Sequence, residues 1–493
     1  MQIPKEIRLA LNTLTENKFQ AFAVGGCVRD ILRKKKPKDW DLTTNAFPEQ
    51  IQECFEKKGS KTFYENKFGT VSVLTDSEDE TLKTLEITPF RTESQYSDKR
   101  HPDQVKWAET IQDDLSRRDF TCNSIALTTE NEKLKIIDLC NGQKDIKNKI
   151  IRAVGKPQER FAEDGLRMIR AVRFAVSLDA KESWTIEPET AKGIKENANL
   201  LAKIAQERIR DEFIKIIQSR NSAQGIELLL HLGLLTYIIP ELEAGIGVDQ
   251  NKHHTLQVFQ HNLLSLKYAS EQDFSFEVRM AALLHDIAKP QTKRGKGQNA
   301  TFYGHEIVGS RVADRILQRL RFPKKQTEKI VKLIACHLFY YNVGEVTEAS
   351  VRRLLRKMGP ENIEELLQLR YADRIGSGVP KAEPYKLRHL KYLFEKVSKD
   401  PISVKTLKVN GSDIIRVLSL KPCPKVGHIL SYLLSYVLSY PEKNKKEVLT
   451  KRINELGRLS DKELEKLTQQ AKKEINEIVQ KQDTMTKQKY WVS

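Results

Sequence analysis

No stretch of this chain of 493 residues contains the roughly eighteen consecutive apolar residues that cross a membrane. Its opening, Met-Gln-Ile-Pro-Lys-Glu, lacks the apolar core of a secretory signal. The six cysteines (27, 54, 122, 140, 336 and 423) are scattered and form no C-x-x-C pair, which argues against a zinc site or a disulfide frame and for reduced thiols. No fixed-period repeat is visible, so solenoids and propellers are set aside. These absences exclude membrane-embedded and disulfide-scaffolded classes. The expected location is the cytoplasm, with no membrane partner.

What is present is a globular composition, 39% hydrophobic and 30% charged, with a formal net charge of +18. That sign favours a polyanionic partner, although charge alone does not identify one. From residue 1 to about 145, strand and helix signals mix. Beyond that the strand signal nearly vanishes, and Phe161, Leu166, Ile169, Val172 and Phe174 fall at helical intervals. The expected fold class is α+β: an α/β catalytic head over 1–145, a helical neck over 146–240, a metal-binding helical domain over 241–380 and a helical body and tail over 381–493. In the head, strands are expected at 61–64, 70–75, 82–88 and 136–139. A helix is expected from Pro48 and helical spacing at 111–115 and 122–127, while 92–106 reads as an irregular loop.

The most informative stretch comes early. Ala23-Val-Gly-Gly-Cys-Val-Arg-Asp30 reads as strand, glycine turn and helix start, a layout that lets backbone N–H groups approach a phosphate chain at Gly25 and Gly26. Asp39 and Asp41 follow at i and i+2, which on a strand points both carboxylates to one face. Hard divalent cations such as Mg²⁺ prefer such oxygen ligands. The combination suggests metal-assisted phosphoryl or nucleotidyl transfer, although Asp-x-Asp by itself is often only a surface turn.

Two further stretches carry chemistry. Arg117-Arg-Asp-Phe-Thr-Cys-Asn123 offers two guanidiniums suited to triphosphate oxygens. Asp119 is placed to accept from a ribose hydroxyl, unless it is merely a helix cap with surface arginines behind it. In Glu163-Asp-Gly-Leu-Arg-Met-Ile-Arg-Ala-Val-Arg173, Asp164 and Arg167 are expected at i and i+3 on one helix face, with Arg170 close by. An acceptor beside a donor complements the pairing edges of both cytosine and adenine, which show an amino donor next to a ring-nitrogen acceptor. Guanine and uracil show the reverse. The bland alternative is an intrahelical ion pair.

Taken as a set, these motifs resemble the class II tRNA nucleotidyltransferases (CCA-adding enzymes) and the related bacterial poly(A) polymerases. The resemblance implies that Asp39 and Asp41 hold Mg²⁺, with Glu86 as a candidate third carboxylate. It also implies that Gly26 and Arg29 contact nucleotide phosphates and that Asp164 and Arg167 act as a protein template for CTP and ATP. Arg170, Arg173 and Asn123 fall in the same nucleotide-binding set. Asp138-Leu-Cys-Asn-Gly142 resembles the family's element linking head to neck. The loop at 92–106 occupies the place of a family loop associated with the switch from adding C to adding the terminal A. The implied partner is the tRNA acceptor region.

Farther along, His261, His285, Asp286, His305, His337 and Asp373 occur in the order seen in HD-type metal phosphohydrolases. Imidazole and carboxylate together suit a divalent metal whose identity the sequence leaves open. His253-His254 read as loop histidines, and Tyr432, Tyr436 and Tyr440 as a packing stripe. The expected activity is template-independent addition of CCA to tRNA. A poly(A) polymerase or A-only enzyme is the alternative within the family, and a phosphohydrolase acting on nucleotides or RNA ends the alternative outside it.

Overall fold

In a computed structural model, the run Ala21-Phe-Ala-Val24 is buried at every position and forms an inner strand of the head's sheet. The structure describes all residues except 1–2, 65–68, 95–103, 131–132, 251–255, 340–341, 380–382, 399–406 and 493. The pair His253-His254 therefore lies outside the described residues.

In chain order the head's strands are β1 (Ala21–Val24), β2 (Asp41–Thr44), β3 (Thr62–Tyr64), β4 (Val71–Leu74), β5 (Thr84–Pro89), β6 (Arg91–Ser94), β7 (Gln104–Trp107), β8 (Ile125–Glu130) and β9 (Lys133–Asp138). Seven of them form one sheet in the order β3-β4-β5-β2-β1-β8-β9. Only β2 and β5 run parallel; the other neighbours are antiparallel. Phe22, Val24, Phe90, Ile111, Leu115 and Ala126 make a buried cluster against this sheet.

Two expectations need correction. Residues 122–127 are not helical: one 3₁₀ turn (Thr121–Asn123) leads into β8, which pairs with β1 and β9. The apolar spacing of six residues fits either structure, and the two strand partners decide it. The ends of 92–106 are likewise not irregular, because β6 and β7 pair antiparallel from Arg91↔Trp107 to Ser94↔Gln104. Residues 95–103, between them, lie outside the described set.

After β9 the described residues contain only two two-residue strands, and helices dominate. The neck helices Pro157–Glu163 and Leu166–Ser177 are separate, with Asp164 in extended backbone between them (φ −138°, ψ 105°). Contacts divide the chain into two compact units, one of residues 1–337 and 365–380, the other of 338–364 and 381–493. In the second, Ile414, Ile429, Leu433, Leu449, Ile453 and Leu464 form a core, with Tyr432 and Tyr436 packed against it. Tyr440 is instead 48% exposed. The last helix, Asp461–Tyr490, starts at a Ser460/Glu463 capping box, as its sequence predicts. No described helix is long and apolar enough to cross a membrane.

Candidate active site and metal centre

Trp40 is buried while Asp39 and Asp41 on either side of it are exposed, so the two carboxylates share a face. The parallel pairing of β2 with β5 sets Asp41 directly beside Glu86, itself exposed between buried Leu85 and Ile87. The fold thus brings the three acidic residues to one side of the sheet. Surrounding protein raises the Asp41 pKa by desolvation; Arg118 opposes this and the like charge of Asp39 adds to it. Gly25 lies at φ +77°, where a side chain is strained. A Cβ there would stand 3.0 Å from Arg118 Nη1 and 3.5 Å from an Asp41 carboxylate oxygen. The glycine lets the turn close against both.

Arg117 and Arg118 end the helix Ile111–Ser116, whose Asp114 holds them both. Arg117 donates to Asp114 Oδ1 at 2.7 and 3.0 Å, and Arg118 to Oδ2 at 3.0 Å. Asp114 is fully buried; burial opposes its charge, but Arg118 and Arg117 outweigh this and hold its pKa below the usual value. Sequence reasoning missed this residue, although its i+3 and i+4 spacing to the two arginines was a readable signal.

Arg29 and Asp119 point inward. Arg29, 9% exposed, donates to Asp30 and, at 2.8 Å, to Asn123 Oδ1. Asn123 donates at 3.1 Å to Asp119 Oδ1, and Arg170 lies 2.6 Å from Asp119 Oδ2. Asp119 is not a helix cap, and its pKa is lowered, burial being outweighed by Arg170 and Asn123. Arg173 donates to buried Glu212 at 2.8 Å. The guanidiniums of Arg29, Arg170 and Arg173 all lie over the ring of Phe174, at 5.4, 5.8 and 3.6 Å. Asp138 accepts from the backbone N–H groups of Gly142 and Gln143 at 2.7 and 2.9 Å. Gly142 packs so closely that a Cβ would meet the Thr121 carbonyl at 2.2 Å, which ties this element to the turn carrying Asn123.

Asp164 and Arg167 do not share a helix face, and their side chains do not pair, although the Arg167 backbone N–H donates to the Asp164 carbonyl at 3.1 Å. Asp164 accepts from Leu166 N–H at 3.0 Å and from Arg208 at 2.9 and 3.4 Å. Arg167 is 9% exposed and donates to Glu163, to the Arg160 carbonyl at 3.1 Å and to the Arg117 carbonyl at 3.4 Å. Arg208 and Glu212, both on the helix Gln206–Gln218, were missed, and no local spacing could have revealed them.

The six HD residues do converge. His261, His285, Asp286, His305, His337 and Asp373 are all buried. His261 Nε2 lies 2.9 Å from His285 Nε2, 3.2 Å from Asp286 and 3.4 Å from Asp373. His305 Nε2 and His337 Nε2 approach the other Asp286 oxygen at 3.3 and 3.9 Å. Nδ1 of His285, His305 and His337 faces the carbonyl three residues earlier, at 2.9, 2.7 and 2.7 Å. A carbonyl only accepts, so Nδ1 carries the proton and Nε2 points inward as a potential ligand. Among the described residues, the groups of three or more ligand atoms lying within 4.8 Å of one another are His261/His285/Asp286 and Asp286/His305/His337. The acidic trio of the head is more open.

The electrostatics of this centre also suit a cation. Asp286 and Asp373 are held well below the carboxylate range despite burial, chiefly by Lys289 and by Arg370 respectively. Burial opposes charge on His261, but its contacts with Asp286 and Asp373 lift it to about 9. His337, buried beside His285, is pushed down to about 3. Lys289, also missed, reaches Asp286 Oδ2 at 2.6 Å.

Over 460 residues, 92% of this chain and 98% of the other, the sequence is 34% identical to a CCA-adding enzyme of Ligilactobacillus salivarius. The chain belongs to the CCA-adding enzymes. It is therefore a tRNA nucleotidyltransferase with an HD domain. Residues 21–152 match the poly A polymerase head domain, 184–246 the probable RNA and SrmB-binding site of polymerase A, and 252–377 the HD domain. A CCA-adding enzyme of Lactobacillus helveticus is 44% identical over 220 residues, 45% of this chain and 51% of that one. The crystal structure of the Bacillus stearothermophilus CCA-adding enzyme in complex with CTP is similar with a TM-score of 0.57 and 26% identity, covering 93% of this chain and 98% of that one. In this CCA-adding enzyme the acidic trio and the paired arginines lie within the head match, and Asp164 and Arg167 lie between the head and RNA-binding matches. His261, His285, Asp286, His305, His337 and Asp373 all lie within the HD match.

Proposed function

We propose that this enzyme extends tRNA 3′ ends with CCA from CTP and ATP, releasing pyrophosphate at each step, with Asp39, Asp41 and Glu86 at the reacting centre. The register of Asp41 against Glu86, with Asp39 on the same face, carries this reading. The oxygen-only donor set and the mutual repulsion that helps raise the Asp41 pKa fit Mg²⁺. Bound there, Mg²⁺ would neutralise triphosphate charge and favour ionisation of the attacking 3′-hydroxyl.

The remaining roles belong to this chain's own groups. Arg117 and Arg118, both held by Asp114, present donors to the triphosphate. The turn at Gly25 and Gly26 gives the phosphates close access to backbone. Arg29, Asn123, Asp119 and Arg170 form a brace that fixes the floor of the nucleotide site, and Arg173 with Glu212 extends it into the neck. Asp164 as acceptor and Arg167 as donor read the base, so that CTP and ATP are taken and UTP and GTP refused. The tRNA acceptor region is the substrate, and its phosphates meet the basic chain. Cytoplasmic placement is supported by six cysteines that are all free.

The HD centre supports a second reading beside the first. Two ligand triads sharing Asp286 suit one or two divalent cations, and a phosphohydrolase activity there would act on nucleotides or RNA ends. One assay tests the main function: tRNAs ending before CCA, after C and after CC are each given single nucleotides. Addition of C to the first two and A to the third, with UTP and GTP inert, is the expected result. Long A tails on any of them would replace this reading with that of a poly(A) polymerase.

A further inference from the structure

We infer that Arg208 is the positioning residue that aims the Asp164 carboxylate at the incoming base. The inference rests on the reading of Asp164 as a base acceptor and adds what holds it in place. A carboxylate on a helix is aimed largely by the helix, because the Cα–Cβ direction follows the backbone. Asp164 lacks that support, since it lies in extended backbone between Pro157–Glu163 and Leu166–Ser177. Its main chain is seated by the next residue: a Cβ on Gly165 would touch Leu200 and Ile204 at 3.4 and 3.5 Å. The plane of the carboxylate is then set by its hydrogen bonds alone.

Those bonds are few. Oδ1 accepts from Leu166 N–H at 3.0 Å and from Arg208 Nη1 at 3.4 Å, and Oδ2 accepts from Arg208 Nη2 at 2.9 Å. The planar guanidinium meets both oxygens, which fixes the rotation about Cβ–Cγ. Each carboxylate oxygen has two acceptor directions. Oδ1 uses both, whereas Oδ2 uses one, so a single direction on Oδ2 remains for the amino group of cytosine or adenine. Arg167 does not hold Asp164, because its guanidinium donates to Glu163 and to two carbonyls rather than to that carboxylate. A four-residue arrangement follows: Arg208 sets the acceptor Asp164, while Glu163 sets the donor Arg167.

A purely structural ion pair between neck helices is the competing explanation. Against it, Leu166–Ser177 and Gln206–Gln218 already pack together and are joined by Arg173 donating to Glu212 at 2.8 Å. Loss of Arg208 should therefore spare the fold and loosen the reading of the base.

The test uses the full-length enzyme as wild type, Arg208→Gln, Arg208→Lys and Asp164→Asn, with kcat and KM measured for all four nucleotides on tRNA ending after CC. Thermal unfolding of each protein is followed alongside. In Arg208→Gln we expect the preference for ATP over GTP and UTP to fall about tenfold or more, the size of one lost charge-assisted hydrogen bond. Arg208→Lys, keeping the charge but not the two-oxygen fork, should recover part of it. If Arg208→Gln slows all nucleotides equally and leaves their ratios intact while Asp164→Asn loses them, Arg208 is structural and only this inference fails. If Asp164→Asn also keeps the ratios, the base-reading role itself fails with it. Should Arg208→Gln not fold, the ratios of Arg208→Lys decide: unchanged ratios overturn the inference.

Discussion

Asp114 illustrates how much of a site can depend on a residue that never meets the substrate. Its carboxylate is fully buried, and both oxygens are used to hold Arg117 and Arg118 side by side. Replacing it with Asn keeps the shape and removes the charge, so the arginines lose their common anchor. KM should rise for CTP and ATP together, by about tenfold for a lost charge-assisted contact, with their ratio unchanged. Stability should respond to pH in a specific way. The folded pKa of Asp114 is lowered, so its contribution is complete above the unfolded value of 3.8 and is lost as pH falls through the lower folded value. Asp114→Asn should thus be less stable than wild type at pH 7, by about 1–3 kcal/mol. The gap should close as pH drops below 3.8, which urea midpoints across that range would show. A gap independent of pH would mean that the loss is one of packing rather than charge.

At the scale of elements, what was legible in the sequence depended on whether the signal was local. Gly25, Asp39 and Asp41 could be read because a turn and a two-residue period are written in adjacent residues. The HD residues could be read because their order along the chain is itself a pattern. Residues 122–127 could not, since six residues with apolar spacing suit a helix or a strand until pairing with β1 and β9 chooses. Asp164 reads as helical in the sequence because nothing in Glu163-Asp-Gly-Leu marks the break beyond its glycine. Arg208 and Glu212 were invisible, as partners some forty residues away leave no local trace. The hairpin of β6 and β7 reads as loop in the sequence because its strands are short and polar, yet it offers a clean test. Replacing 95–103 with a short glycine-containing turn keeps the pairing from Arg91↔Trp107 to Ser94↔Gln104. If the excised residues serve the switch to A, CTP should still be incorporated while addition of the terminal A is lost by about a hundredfold or more, in line with a misplaced reactant. Equal loss of both additions would refute that role.

At the scale of the molecule, the HD centre is a long-range closure. Its candidate ligands run from His261 to Asp373, and the chain leaves for the second compact unit over 338–364 before returning with Asp373. An unfolded chain cannot assemble such a set, so a cation that binds it stabilises only the native state. The donors are ready for one. Nδ1 of His285, His305 and His337 is engaged by backbone carbonyls, and Asp286 and Asp373 stay ionised at any ordinary pH because Lys289 and Arg370 hold them low against burial. Metal at a hundred times its Kd should add about 2.7 kcal/mol, visible as a rise of several degrees in Tm. Chelator-treated protein should lose that rise and regain it on titration with Mn²⁺. His285→Ala removes a ligand of the first triad and should both lower the bound metal found by elemental analysis and flatten the Tm response. Ligand sharing at Asp286 makes the stoichiometry informative once ions held by the head's carboxylates are subtracted: close to two ions at this centre if both triads fill, one if Asp286 serves a single site. An equal Tm rise in wild type and His285→Ala would locate the stabilising ion elsewhere, and the converged imidazoles would then be a buried hydrogen-bond network rather than a metal centre.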